Sequence, residues 1–244
     1  MDPDRLSVVL VSTRNPLNIG AAARAMFNFG FHHLRLVHPF DPAFREARSA
    51  VGASSVLASA RVFSTVAEAV ADCTLIVGTT AIGHRQLQHP LRVLQDGALS
   101  ILQELAAPPN HPSRVAILFG SEKVGLSNQD LSHCHWLLHI PTTDEQPSMN
   151  LGQAVAVCLY EIARDAATPL PIADTPHASA EEVERLTAVL LETLHASEYL
   201  VTQEGESKEE NLRRLLRRMH LSSEDTTAWL GMLRQILWKL RAKS

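Results

Sequence analysis

The sequence lacks any apolar run close to the ~20 residues that a membrane-spanning helix needs. It opens on Met1-Asp2-Pro3-Asp4, acidic where a signal peptide carries basic residues. A cytoplasmic protein with no membrane partner is the expectation. Cysteine is scarce: Cys73, Cys134 and Cys158 are odd in number and scattered. That pattern suits neither a disulfide framework nor the paired spacing of a zinc site, and it points to reduced thiols. Basic residues are not in excess, since 22 Lys and Arg stand against 26 Asp and Glu for a net charge of −4. This excludes a histone-like polycation but not a local basic patch. Two nucleotide fingerprints are missing as well. There is no G-x-G-x-x-G and no glycine-rich loop ending in Gly-Lys-Ser/Thr, which counts against a dinucleotide-dependent oxidoreductase and against a P-loop enzyme.

What is present is the rhythm of an α/β protein. With 244 residues, 45% of them hydrophobic and 20% charged, the chain suits one sizeable domain with an appendage. Short β-type runs at Ser7–Ser12, Leu34–Val37, Arg61–Phe63, Thr74–Val77, Val115–Phe119 and Trp136–Ile140 alternate with helical stretches. The helices are expected at Asn18–Phe29, Ala43–Val51, Thr65–Ala71, Leu99–Leu105 and from about Asn150. Alternating strands and helices, with several strands apolar throughout, predict a mostly parallel sheet covered by helices on both faces.

Composition shifts at Thr168-Pro169-Leu170-Pro171, and three prolines up to Pro176 mark a linker or strap. The expected division is an α/β domain over 1–166, a linker over 167–179 and a small all-α extension over 180–244. In the extension's second helix, Leu212, Leu215, Leu216 and Met219 share one face, while Arg213, Arg214, Arg217 and Arg218 share the other. That arginine face reads either as a solvated surface or as a phosphate contact. The third helix presents Trp229, Leu230, Leu233, Ile236, Leu237 and Leu240 at helical spacing, a face that needs a partner.

The chemistry falls in four loops, because open α/β sheets bind ligands at the carboxyl ends of their strands. Asn15-Pro16-Leu17-Asn18 leads into an alanine-rich helix that carries Arg24, a charge that implies an anionic partner on so small-sided a helix. Gly78-Thr79-Thr80-Ala81 ends an apolar strand with residues small enough for close backbone approach to a ligand. Gly120 and Gly125 bracket Glu122, and Pro147-Ser148-Met149-Asn150 precedes the long helix, where Ser and Asn also serve as N-caps. His133, His135 and His139 flank Cys134, but no second ligand pair has suitable spacing, so no metal is expected.

These four stretches, NPLNIGAAAR (15–24), GTTA (78–81), FGSEKVGL (119–126) and SMNL (148–151), resemble in order and spacing the motifs of the SPOUT methyltransferases. Among those, the resemblance is to the TrmJ-type tRNA (cytidine/uridine) ribose 2′-O-methyltransferases. It covers about residues 6–164, and the helical tail looks like that subfamily's C-terminal extension. The resemblance implies a trefoil knot after Phe119, a homodimer, S-adenosyl-L-methionine as cofactor and RNA rather than DNA as substrate. The expected substrate is tRNA at nucleotide 32 of the anticodon loop, with ribosomal RNA as the alternative. It also implies that Thr79, Thr80, Ala81, Gly120, Ile140, Pro147, Ser148 and Met149 line the cofactor site. Arg24 would be the catalytic arginine, with Asn18, Glu122, Ser148 and Asn150 around it. The sequence departs from relatives at Ser121 and Ile82, where they often carry Arg, and at Gln146-Pro147, where some have Tyr-Ser.

Methyl transfer from a sulfonium is an in-line displacement, so alignment and one proton are the protein's tasks. Guanidinium stays protonated, and Arg24 is therefore expected to clamp phosphate and stabilise a developing alkoxide rather than act as base. The reading from a different class is a non-catalytic knotted RNA-binding dimer, which intact Arg24, Ser148 and Asn150 argue against.

Overall fold

The computed structural model describes residues 2–40, 55–81, 88–106, 108, 113–164, 176–200 and 205–242. A 3-10 turn at Pro3–Arg5 leads into β1 (Leu6–Val11), α1 (Pro16–Asn28) and β2 (His33–Val37). Then come α2 (Ser55–Ala58), β3 (Arg61–Phe63), α3 (Val66–Val70), β4 (Leu75–Thr79), β5 (Leu91–Val93) and α4 (Leu94–Leu105). The sheet is completed by β6 (Val115–Phe119) and β7 (Trp136–His139), separated by the short α5 (Asn128–Leu131), and α6 (Leu151–Arg164) follows. The extension holds α7 (Ala180–Ala196), α8 (Gly205–Met219) and α9 (Ser223–Arg241).

All seven strands run parallel in one sheet, in the order β3-β2-β1-β6-β4-β7-β5. Alternation along β1 shows why both faces are covered: Leu6, Val8 and Leu10 enter one core and Val9 and Val11 the other. The first core packs under α1, α2, α4 and α6, and the second under α3, α5 and the first residue of α7. The expected α/β sandwich is therefore the one observed.

Differences from the sequence reading have local causes. β5 was not anticipated because it is only three residues long, Leu91-Arg92-Val93 at the exposed sheet edge, too short for its alternation to stand out. The helix expected at Leu99–Leu105 begins at Leu94, because its start at Val93 carries no side-chain cap to announce it. Neither was α2 foreseen, a single turn anchored by Val56 and Leu57. The helix expected at Ala43–Val51 lies outside the described residues.

The extension docks against the amino ends of β4 and β7. Ala180 N–H donates to the Cys73 carbonyl at 2.6 Å and Glu181 N–H to that of Ala71 at 3.0 Å. Three of the four arginines of α8, Arg213, Arg214 and Arg217, are turned inward, which corrects both readings for them, while Arg218 stays exposed. Arg217 is 0% exposed, donating to the Ala180 carbonyl and to Glu184, each at 3.0 Å. Arg213 is also buried and donates to the same carboxylate at 3.1 Å and to Ser132 at 3.3 Å. Burial alone would raise the Glu184 pKa, but hydrogen bonding from His133 and the charges of Arg217 and Arg213 lower it to about 2. Leu215 and Met219, expected inside, are consequently exposed, while Leu216 joins Val183, Leu186 and Leu233 in the extension's own core. On α9, Leu233 and Leu237 are buried, but Trp229 and Ile236 face outward.

Candidate active site

β1, β4, β6 and β7 end at one edge of the sheet, and the four loops leave from there. The first turns sharply: Ser12 takes a left-handed φ of 53° while its N–H donates to the Val37 carbonyl at 2.8 Å. Asn15 then caps α1, its Oδ1 accepting the Leu17 N–H at 2.9 Å, with Pro16 at the first helical position.

Across the edge, the loop after β6 brings Glu122 onto this turn. Its carboxylate accepts the Asn15 N–H at 3.2 Å, the Arg14 N–H at 3.4 Å and the side-chain amide of Asn18 at 2.9 Å. Partial burial would raise its pKa, but these donors, Asn18 foremost, hold it below the ordinary carboxylate value. The loop itself is drawn very tight. Ser121 and Gly125 form an antiparallel bridge in which Gly125 N–H donates to the Ser121 carbonyl at 2.9 Å, and a Cβ added to Gly120 would lie 2.0 Å from the Gly125 carbonyl carbon. Only glycine fits at 120, and Gly125 has a φ of 70°.

The fourth loop closes the arrangement. Asn150 stands before α6, its Oδ1 accepting the Gln153 N–H at 3.3 Å while its amide donates to Asn18 Oδ1 at 2.9 Å. Glu122, Asn18 and Asn150 thus form one chain of side-chain hydrogen bonds joining three loops. Close contact of α1 and α6 makes it possible, since a Cβ on Gly152 would come within 2.6 Å of the Ala21 Cβ.

The other expected residues fall into two groups. Thr79, Thr80, Gly120 and Ile140 sit at the ends of the neighbouring strands β4, β6 and β7. Thr79 Oγ1 donates to the Leu118 carbonyl at 2.9 Å, and Thr80 N–H donates to that of Leu138 at 3.0 Å. Ala81 is exposed beside them, its carbonyl accepting the Thr80 hydroxyl at 3.1 Å. Ser148 and Met149 line an open groove of about 520 Å³ together with Thr142, Gln146, Asn150 and Gln153. Pro147 belongs to the same loop, its carbonyl accepting the Thr142 hydroxyl at 3.1 Å. Sequence reasoning had missed Thr142 and Gln153, although a polar loop feeding a helix was the available signal. Arg24 stands apart: it is exposed, about 9 Å along the axis from Asn18 at 1.5 Å per residue, and has no hydrogen-bond or ion-pair partner among the described residues. Ile82 lies outside the described residues.

The groove's volume is in the range of small-ligand sites, and its wall of short polar side chains with one thioether suits a ligand both polar and apolar. No group of three His, Cys, Asp or Glu able to hold a metal occurs among the described residues. His133 and His135 precede β7 and are turned toward the extension. No helix among the described residues is long and apolar enough to cross a membrane.

Comparison with known proteins bears on this crevice. The profile of the SpoU rRNA Methylase family matches residues 5–160. The tRNA (cytidine/uridine-2'-O-)-methyltransferase TrmJ of Cronobacter sakazakii is 34% identical over 239 residues, 95% of either chain. The protein of the same name from Escherichia coli K12 is 33% identical over 238 residues, 95% of this chain and 94% of its own. Among solved structures, TrmJ from Z. mobilis ZM4 superposes with a TM-score of 0.80 at 34% identity, covering 94% of this chain and 98% of that one. A probable methylase family protein from Haemophilus influenzae gives a TM-score of 0.59 at 26% identity over the full length of both.

Proposed function

Because the chain belongs to the SpoU rRNA methylase family, we propose that it is an S-adenosyl-L-methionine-dependent tRNA ribose 2′-O-methyltransferase acting at nucleotide 32 of the anticodon loop. The observation that carries this reading is the hydrogen-bonded chain Glu122–Asn18–Asn150, which fixes three loops around one crevice. The full-length likeness to proteins named for tRNA cytidine/uridine 2'-O-methylation supplies the substrate class.

S-adenosyl-L-methionine supplies an already activated methyl group. The strand ends carrying Thr79, Thr80, Ala81, Gly120 and Ile140, with Pro147, Ser148 and Met149 opposite, would hold it. Arg24, exposed and without a hydrogen-bond or ion-pair partner among the described residues, offers a positive charge to an incoming RNA phosphate and to the alkoxide that develops on the ribose oxygen. Glu122 is not the base, since its oxygens are committed to three N–H donors and its pKa is lowered. It is a positioning residue, holding Asn18 and the start of α1. Ser148, exposed on the groove, and Asn150 orient the hydroxyl, whose proton leaves to a phosphate oxygen or water.

The same reading includes a trefoil knot, a homodimer and a cytoplasmic location. The knot is supported by the path of the chain. After β5 at the sheet edge it returns to lay β6 between β1 and β4, then emerges to lay β7 between β4 and β5. Dimerisation is supported by exposed apolar side chains on the two helices beside the crevice, Leu17 and Phe27 on α1 and Tyr160 on α6. Three buried free thiols suit a reducing compartment.

Transfer of labelled methyl from S-adenosyl-L-methionine to unmodified tRNA, with the product mapped by nucleotide, tests the function. Label in a 2′-O-methyl pyrimidine at position 32 is expected. Label confined to ribosomal RNA in a parallel reaction, or to no RNA, overturns the reading.

A further inference from the structure

His135 immediately precedes β7, outside the crevice, and its side chain is buried. Main-chain pairing of β4 with β7 begins at Val77 opposite Trp136. One residue earlier a side chain completes the ladder. His135 N–H donates to the Ile76 carbonyl at 2.8 Å, and Ile76 N–H donates to His135 Nδ1 at 2.9 Å. A ring nitrogen that accepts carries no proton, so the neutral ring holds its proton on Nε2. On its other side the ring meets His220, in the turn between α8 and α9, edge to face with centroids 5.0 Å apart. His220 is stacked in turn on His177 at 3.8 Å. One imidazole thus sits between the helical extension and the roots of the two strands whose far ends present Thr79, Thr80 and Ile140. Those far ends are themselves tied, Thr80 N–H to the Leu138 carbonyl.

We infer that His135 is a positioning residue for the methyl-donor turns: it fixes β4 against β7 by accepting the Ile76 N–H, and His220 of the extension backs the ring that does so. This rests on the reading of those turns as the donor site. A side chain of the wrong reach leaves the Ile76 N–H buried and unpaired. The strands can then shift only by moving the turns they carry. The extension, in this arrangement, takes part in forming the donor site without touching it.

Reach provides the test. In His135→Asn the amide oxygen stands as many bonds from the backbone as Nδ1, and in His135→Gln it stands one bond farther. With full-length protein, the Asn variant keeps the acceptor for Ile76 N–H but loses the ring that His220 backs, so its donor KM is expected to rise no more than severalfold, with residues 76–80 still protected from exchange. The Gln variant should raise KM for S-adenosyl-L-methionine on the order of tenfold, with kcat at saturating donor nearly unchanged and faster amide exchange over residues 76–80. Equal donor KM in both variants, or kcat and KM lost together in both, overturns the inference. Should the Gln variant not fold, His220→Ala leaves Ile76 its acceptor but removes the backing ring. A severalfold rise in donor KM at constant kcat supports the role, and an unchanged KM overturns it. If the wild type binds no S-adenosyl-L-methionine, the donor reading fails, and the exchange contrast between the Asn and Gln variants still decides whether His135 holds the strands.

Discussion

The side-chain amide of Asn150 donates to Oδ1 of Asn18 at 2.9 Å across 132 residues of sequence. Each residue has a second task, Asn150 capping α6 and Asn18 donating to Glu122. Asn150→Asp keeps the cap but turns an acceptor toward Asn18 Oδ1. Single-turnover methyl transfer by this variant is expected to fall on the order of tenfold or more, and an undiminished rate would show that the contact is idle.

Arg24→Ala separates chemistry from folding. Because Arg24 is exposed, unfolding free energy should change by no more than about 0.5 kcal/mol. Turnover should fall by a factor on the order of 10²–10³, with binding of S-adenosyl-L-methionine unaltered by calorimetry. Full turnover would remove Arg24 from the mechanism.

Gly152→Val forces α1 and α6 apart, since the first added carbon already lies 2.6 Å from Ala21. Overpacking of this kind costs ~1–3 kcal/mol, visible as a lower urea midpoint. Activity should drop further than stability, because the same displacement separates Asn18 from Asn150.

Glu184→Gln leaves Arg217, which is 0% exposed, without a charged partner. Breaking such a pair costs ~3–5 kcal/mol. The expected result is limited trypsin cleavage within α7–α9 while the sheet remains folded, and an uncleaved extension would refute the assignment of Glu184 as its clamp.

Acid should loosen the extension before the sheet. Burial, with the neighbouring His177, lowers His220 from 6.5 to about 4, and burial, with Arg214 and Arg218, does the same to His89. The unfolded state therefore binds more protons between pH 6.5 and 4, and stability rises with pH across that window and falls as pH drops through it. Glu184 is shifted from 4.5 to about 2, so its contribution is present above 4.5 and is lost as pH falls toward 2. Hydrogen exchange in α8 that accelerates from pH 6.5 downward is the expected signature, and pH-independent protection contradicts it.

The sheet was legible because its strands are short apolar runs set between capped helices. Gly30, at φ 77°, announced the end of α1, whereas the helix starts at Pro16, ahead of the expected Asn18, because Asn15 caps it. The crevice residues were legible as motifs but not as a network. Nothing in sequence spacing places Glu122 on the backbone of Arg14 and Asn15, since that contact depends on how β1 and β6 are paired. The arginines of α8 misled for a similar reason. Periodicity divides a helix into two faces, and only the position of Glu184 on another helix decides which face turns inward.

The strand order also sets when the sheet can be made. β1 to β3 pair among themselves, but β4 pairs only with β6 and β7, and β5 only with β7. A ribosome that has released the chain through Val93 has therefore delivered two strands with nothing to lie against. They must wait until residues 115–139 emerge, so this protein assembles late and slowly. During that interval the unpaired edges of β4 and β5 are open to pairing with other chains.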